Sequence, residues 1–456
     1  MPSLKITSVF FLLVVILLQA CISDDDSSVP SPEKSELDQQ LEQVLVENAP
    51  GNGLAHFRFP ASEDFNRIPQ DPKNWLSAEK VALGRLLFHE TGLAIKPKQN
   101  AGLGTYSCAS CHFASAGFQA GRFQGIGEGG TGFGVNGEGR DADATYSVND
   151  LDVQPIRSPS AMNGAYQEVM LWNGQFGATG MNLGTENAWA PNTPIFNNYL
   201  GFQGLETQAI AGLTVHRLDM DTAWLESTGY KALFDAAFPD VPAEERYTKI
   251  TSGLAIAAYE RTLFANEAPF QAWLAGDYDA MSAAEKEGAL LFFGKAGCNS
   301  CHTGPALNSM AFYALGMKDL FDCDEPTFLT AVDSPADLGR GGFTGRPEDN
   351  YKFKVPQLYN LKDSPFFGHG GTFRSVRDVV AYKNAAVAEN PDVPAHYLAS
   401  SFVSLGLTET EIDAITLFLE NALYDPNLKR YVPESLPSGN CFPNNDALSR
   451  QQLGCE

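Results

Sequence analysis

Two pentapeptides constrain this chain more than anything else in it: Cys108-Ala-Ser-Cys-His112 and Cys298-Asn-Ser-Cys-His302. Cys-x-x-Cys-His is the attachment sequence of c-type haem. Two thiols bond to the vinyl groups of the porphyrin, and the adjacent imidazole is placed beneath the iron as an axial ligand. A chain with one such motif must close its fold around a large, flat, apolar group, and this chain must do so twice. Two Cys-x-x-Cys pairs could also hold zinc in four-Cys geometry, but that leaves no reason for His to follow both pairs. A redox dithiol of the thioredoxin type needs a βαβ setting, and none is visible.

The text around the motifs repeats. Ser77-Ala-Glu-Lys-Val-Ala-Leu-Gly-Arg-Leu-Leu-Phe88 precedes the first, and Ser282-Ala-Ala-Glu-Lys-Glu-Gly-Ala-Leu-Leu-Phe-Phe293 precedes the second. The second copy opens with a capping box, Ser282-x-x-Glu285. Each copy predicts a short helix running into a Cys-His loop, and two copies imply two similar small domains. Apolar spacing predicts further helices over Ile250 to Phe264 and over Glu409 to Leu423, behind Thr408-x-x-Glu411. The Gly-dense stretch Gly117 to Gly139, and Thr330 to Asp349, predict loops. No run alternates with period two. The expected fold is all-α: two cytochrome c-type haem domains with long loops. At 456 residues the chain is long enough for two or three domains.

The N-terminus reads as an export signal. Lys5 precedes the apolar run Val9 to Leu18, which is shorter than the roughly 20 residues a transmembrane helix needs. Leu18-Gln-Ala-Cys21 follows. A short basic region, a short apolar core and small residues mark 1–20 as a signal peptide. A Cys directly after Leu-x-Ala resembles the bacterial lipoprotein signal, with Cys21 lipidated as the mature N-terminus. Residues 21–60 are then a lipidated tether and linker, with Ser23 to Ser28 and the Pro/Ser stretch behind it as flexible chain. Such a protein is exported, touches membrane only through its lipid, and faces the periplasm or the cell surface.

Of eight cysteines, Cys323, Cys441 and Cys455 remain after the anchor and the two motifs. Export permits disulfides. Three thiols allow one bridge and one spare, and Cys441 to Cys455 closes the shortest loop, although sequence alone does not fix the pairing. The net charge of −24 argues against nucleic acid. It fits a basic redox partner and equally fits simple solubility.

Five stretches around the motifs resemble the bacterial dihaem cytochrome c peroxidases and their relative MauG. They are Leu86-Leu-Phe-His-Glu90, Arg157-Ser-Pro-Ser-Ala-Met-Asn163, Leu171-Trp-Asn-Gly174, Ala257-Ala-Tyr-Glu-Arg-Thr262, and Phe353-Lys-Val-Pro-Gln-Leu-Tyr-Asn360 with Phe366-Phe-Gly-His-Gly370. The resemblance runs in unbroken order from about Leu76 to Leu423. It implies an oxidoreductase with two covalently bound haem c groups, Cys108, Cys111, His112 and Cys298, Cys301, His302 being their ligands. It implies a peroxidatic N-terminal haem domain (61–266), an electron-transfer C-terminal haem domain (267–435), and a C-terminal tail (436–456). It implies a Trp on the path between the haems, matched by Trp172, which reads equally as a core aromatic. Gln208 matches a Gln of the peroxide pocket, and Asp219 falls at the family's acid, allowing one inserted residue. His216 is a second candidate for that acid/base, because breaking the O–O bond requires a proton to be moved by a group held over the iron.

The sequence departs from the pattern in three places. From Phe113 to Val215 there is no His, so the first haem is expected to lack a second axial imidazole and to stand open. The segment Asp378-Val-Val-Ala-Tyr-Lys-Asn384 has no Met where the peroxidases place one, leaving Lys383 or Tyr382 as the distal ligand of the second haem. The family places calcium between its haems, but Arg157 stands where an Asn ligand is expected, which argues against Ca2+. The expected function is reduction of hydrogen peroxide with electrons from a small cytochrome c or cupredoxin. The alternatives are a MauG-like enzyme oxidising a protein side chain and a non-enzymatic dihaem electron carrier. A homodimer is the oligomer the resemblance allows.

Overall fold

The computed structural model describes residues 34–332 and 334–455. The expected signal peptide, Cys21 and the Ser23 to Ser28 tether lie outside the described residues.

The architecture is helix-rich. Among the described residues the strands form two short antiparallel pairs, Gly130–Thr131 with Asp141–Ala142 and Phe312–Tyr313 with Phe353–Lys354, besides isolated bridges. The helices that position the sites are α1 (Glu36–Asn48), α2 (Ala78–His89), α3 (Gly204–Val215), α4 (Lys249–Glu260), α5 (Ala283–Phe293), α6 (Val376–Ala385) and α7 (Glu409–Leu417). Local chemistry accounts for their starts. Ser77 caps α2, Thr248 caps α4, and reciprocal capping boxes open α5 at Ser282/Glu285 and α7 at Thr408/Glu411.

The two repeated helices each cross a partner at a glycine. A Cβ on Gly84 of α2 would lie 1.8 Å from the Ala255 carbonyl oxygen of α4, and one on Gly288 of α5 would lie 2.0 Å from the Ala414 carbonyl oxygen of α7. Backbone therefore packs directly on backbone at both crossings. Next to the first crossing, α3 is tied to the end of α4 by a buried bidentate ion pair. Arg261 Nε and Nη2 donate to the two Glu206 oxygens at 2.8 and 2.7 Å.

Two expectations are corrected by packing. Residues 36–60 are not a tether. In α1, Leu41 and Leu45 are fully buried one turn apart, and Asp38 accepts from Trp273 Nε1 at 2.8 Å and pairs with Lys286 at 2.7 Å. That helix is thereby docked on α5. The stretch Thr330 to Asp349 is not all loop, because Arg340–Thr344 forms a helical turn whose buried Arg340 donates to Asn182 Oδ1 at 2.8 Å. The tail is docked on the first half of the chain. Ser107 and Ser110 donate to the Pro443 carbonyl at 3.1 Å each, and Asn445 N donates to Thr105 at 3.0 Å, so the tail lies on the first Cys-His turn. A Cys441–Cys455 disulfide closes it, leaving Cys323 free and buried. One apolar core runs from Leu41 to Tyr431, through both halves of the chain, with no gap at the expected boundary near 266.

Candidate haem sites and the junction between them

Each Cys-x-x-Cys-His motif makes one tight 3-10 turn, Cys108–Ser110 and Cys298–Ser300, which brings the following His under the turn. His112 Nδ1 donates to the Phe118 carbonyl at 3.2 Å and His302 Nδ1 to that of Leu307 at 2.6 Å. The Nδ1 proton is thus committed to backbone, and Nε2 keeps its lone pair for a metal. Burial pushes both imidazoles down to about 4, so they are neutral, as an iron ligand must be. Burial likewise pushes the Cys108, Cys111 and Cys298 thiols up to about 12, the opposite of a reactive dithiol. Among the described residues no three His, Cys, Asp or Glu converge as a metal cluster, so the two Cys pairs do not form one four-Cys site. The donor set fits two haem c groups.

Above the first site, Gln208, Gly212 and His216 follow one another at four-residue spacing along one face of α3 and its C-cap. A Cβ on Gly212 would meet nothing but His216, at 3.9 Å, so this face borders open space. The charge of His216 acts, as a lesser cause, to lower the His112 pKa. His216 Nδ1 bonds Asp152 Oδ2 at 2.9 Å, and the Asp152 side chain is 4% exposed against 36% for His216. Burial works against protonation of His216, but the Asp152 charge and hydrogen bond prevail and raise it above its ordinary value. Behind this pair, Arg217 Nε donates to the fully buried Glu128 at 2.6 Å, while Arg217 Nη2 and the Tyr106 hydroxyl are buried without a partner.

Asp219 lies three residues beyond His216 but turns elsewhere. Its carboxylate pairs with Lys96 and, at 3.7 Å, with Lys249, and it accepts from Met220 N at 2.9 Å. Burial would raise it, yet the Lys96 hydrogen bond and the other donors hold it below the usual carboxylate range. Nearer the Cys108 thiol, Glu260 is buried beside Glu206. Burial and that neighbour push it up to about 8 against the opposing Arg261 charge, so it is protonated at neutral pH.

The second site opens on a cavity of about 310 Å³ lined by Cys298, Cys301, His302, Lys383, Trp172 and His369. Trp172 is held at both ends. Its Nε1 donates to the Arg157 carbonyl at 2.9 Å, and its own carbonyl accepts from Lys354 N at 2.7 Å. It meets His369 edge-on at 6.4 Å, and His369 stacks on Phe353 at 3.6 Å while bonding Asp319 at 2.9 Å.

Residues 78–279 match the family model described as di-haem cytochrome c peroxidase. The chain resembles this family. It is 29% identical over 381 residues to the cytochrome-c peroxidase IdrP1 of Denitromonas iodatirespirans, covering 80% of this chain and 86% of that protein. It is 27% identical to the methylamine utilization protein MauG of Methylorubrum extorquens, covering 82% and 84%. Among solved structures, a MauG-like protein associated with microbial copper homeostasis has the same fold, with a TM-score of 0.53 at 22% identity over 81% of this chain and 95% of that one.

Within the family's frame, the two candidates for the second distal position separate. Tyr382 is buried between Phe373 and Phe402, with its hydroxyl on the Leu315 carbonyl. Lys383 instead lines the cavity, its Nζ 5.2 Å over the Phe402 ring. Burial lowers its pKa. Arg157, standing where the resemblance expects a calcium ligand, donates to the Arg122 and Ala120 carbonyls, Gln119 Oε1 and Ser364 Oγ, so the residues there do not fit calcium. Sequence reading missed Asp152 and Lys354. The latter is a buried lysine that burial lowers to about 7, on the Gln167 side chain and, at 2.8 Å, the Val169 carbonyl. A Lys inside the apolar text Phe353-Lys-Val-Pro was its only signal.

Proposed function

We propose that this protein reduces hydrogen peroxide to water at the first haem site, with electrons entering at the second from a small cytochrome c or cupredoxin. The observation that carries the reading is the His216–Asp152 pair on the open face of α3, electrostatically coupled to His112. When bound, the haem would supply the redox chemistry, the two electrons that peroxide reduction needs. The side chains supply the protons. With the Nδ1 proton given to Asp152, His216 Nε2 can take a proton from incoming peroxide and return it to the departing oxygen. Gln208, two turns back along the same face, would orient the oxygen that stays. Asp219, held as a carboxylate by two lysines, secures the segment that carries His216. Trp172, clamped between Arg157 and Lys354, offers the second site an aromatic step toward the first. At net charge −24 the surface suits a basic donor.

The second reading, oxidation of a protein side chain, draws support from Lys383 standing in the second cavity in place of Met. One preparation separates the readings when mixed with peroxide, with and without reduced cytochrome c. Catalytic oxidation of two cytochromes per peroxide supports the peroxidase. A long-lived oxidised protein that leaves the cytochrome untouched supports side-chain oxidation, and no reaction with peroxide leaves an electron carrier. The reading also includes export and a lipid anchor at Cys21. Replacing Cys21 with Ser should release the protein from membranes, and unchanged fractionation removes the anchor.

A further inference from the structure

Arg157 is 2% exposed, and its guanidinium faces neutral oxygens. Nη1 donates to the Arg122 carbonyl at 2.7 Å and reaches that of Phe123 at 3.5 Å. Nη2 donates to Gln119 Oε1 at 3.1 Å, the Ala120 carbonyl at 3.2 Å and Ser364 Oγ at 2.8 Å. Four of these oxygens come from one loop of the first half, and the fifth comes from the second half. A convergent set of neutral oxygens is how proteins hold a hard cation. A buried charge without a carboxylate is costly to keep, and here the hydrogen bonds of the cage offset that cost. The same residue holds the junction by its backbone. Its N–H donates to the His369 carbonyl at 2.9 Å, and its carbonyl accepts the Trp172 indole at 2.9 Å. The guanidinium cage and the contacts to Trp172 and to the His369 backbone therefore converge on one residue.

We infer that Arg157 is a built-in cation of the junction: its guanidinium takes the position a divalent cation would take, so that Trp172 and His369 stay aligned without bound calcium. The consequence for electron delivery rests on the peroxidase reading; the consequence for metal content and stability does not. The holoprotein should therefore be stripped with EDTA and returned to millimolar calcium chloride. Metal analysis should find no stoichiometric calcium, and melting temperature and cytochrome oxidation should not change. One calcium per chain, or a gain in either property, overturns the inference. Because the metal and melting readouts need no turnover, an inactive wild type would remove the function reading and still decide this one.

Arg157→Ala should slow electron delivery from the second site to peroxide by about tenfold or more through loss of alignment, and added ethylguanidinium should restore it. Unchanged delivery, or a loss that ethylguanidinium does not restore, counts against Arg157. If that variant does not fold, Arg157→Lys keeps the charge but cannot span the 119–123 loop and Ser364 together. It should lose delivery while remaining calcium-free, and wild-type delivery in Arg157→Lys sinks the inference.

Discussion

Asp152 is the residue whose replacement tests the proposed chemistry most sharply. It is nearly buried and bonds His216 Nδ1 at 2.9 Å. A charge-assisted hydrogen bond contributes roughly 1.5–3 kcal/mol. His216 is a third exposed, so solvent screening puts the contribution at the lower end, about 1.5 kcal/mol, which is about tenfold in rate. Asp152→Asn should thus lower the peroxide rate plateau about tenfold, since the imidazole loses both its fixed tautomer and part of its basicity. It should also move the acid limb of the pH profile to lower pH. The sign follows from the reaction: the neutral imidazole is the active base, Asp152 raises its pKa, and removing that charge lets the imidazole stay neutral further into acid. His216→Gln removes the group itself and should cost about 10²–10⁴-fold. The assay is stopped-flow mixing of oxidised protein with peroxide across pH, with Asp219→Asn as the comparison. If His216→Gln reacts at the wild-type rate while Asp219→Asn collapses, the acid/base is Asp219 and the reasoning from the α3 face is wrong. An acid limb that does not move in Asp152→Asn refutes the pairing.

Three further outcomes follow from single contacts. Lys383→Met should raise the reduction potential of the second haem, because Met/His ligation favours the reduced iron relative to an amine; spectroelectrochemical titration reads it, and an unchanged potential shows that Lys383 is not a ligand. Glu260 keeps its proton in the folded state up to about pH 8 but ordinarily loses it near 4.5, so its contribution is complete below the lower value and is lost as pH rises through the upper one; Glu260→Gln should melt higher than wild type above pH 8, and identical melting profiles across pH would count against the buried acid. Gly84→Ala forces α2 off α4, because its Cβ would sit 1.8 Å from the Ala255 oxygen; chemical denaturation should show a loss of about 1–3 kcal/mol or more, and wild-type stability would mean the helices do not cross there.

What could be read from the chain was what neighbouring residues decide together. The two Cys-x-x-Cys-His turns, the capping boxes at Ser282/Glu285 and Thr408/Glu411, and the helix expected over Ile250 to Phe264 each depend on groups a turn or two apart, and each forms, that helix as Lys249–Glu260, four residues short at its end. The short Cys441–Cys455 loop belongs to the same class. Lys383 and Tyr382 mark the limit of that kind of reading. They are adjacent on α6 and point about 100° apart, and only the packing of that helix turns one toward the cavity and the other into the Phe373 and Phe402 cluster. Asp152 lies 64 residues from His216, and Ser364 lies 207 from Arg157. No local pattern carries such pairings, because they arise from chain segments brought together to bury a common core. The same holds for the tail, whose seat on Ser107 and Ser110 consists of hydrogen bonds to backbone that no side-chain pattern records; α1, by contrast, was legible in Leu37, Leu41, Val44 and Leu45 at helical spacing behind Ser35-x-x-Asp38. Sequence determined which atoms can hold two haems; only the tertiary structure decided which polar groups face them, since that depends on desolvation and on partners far along the chain.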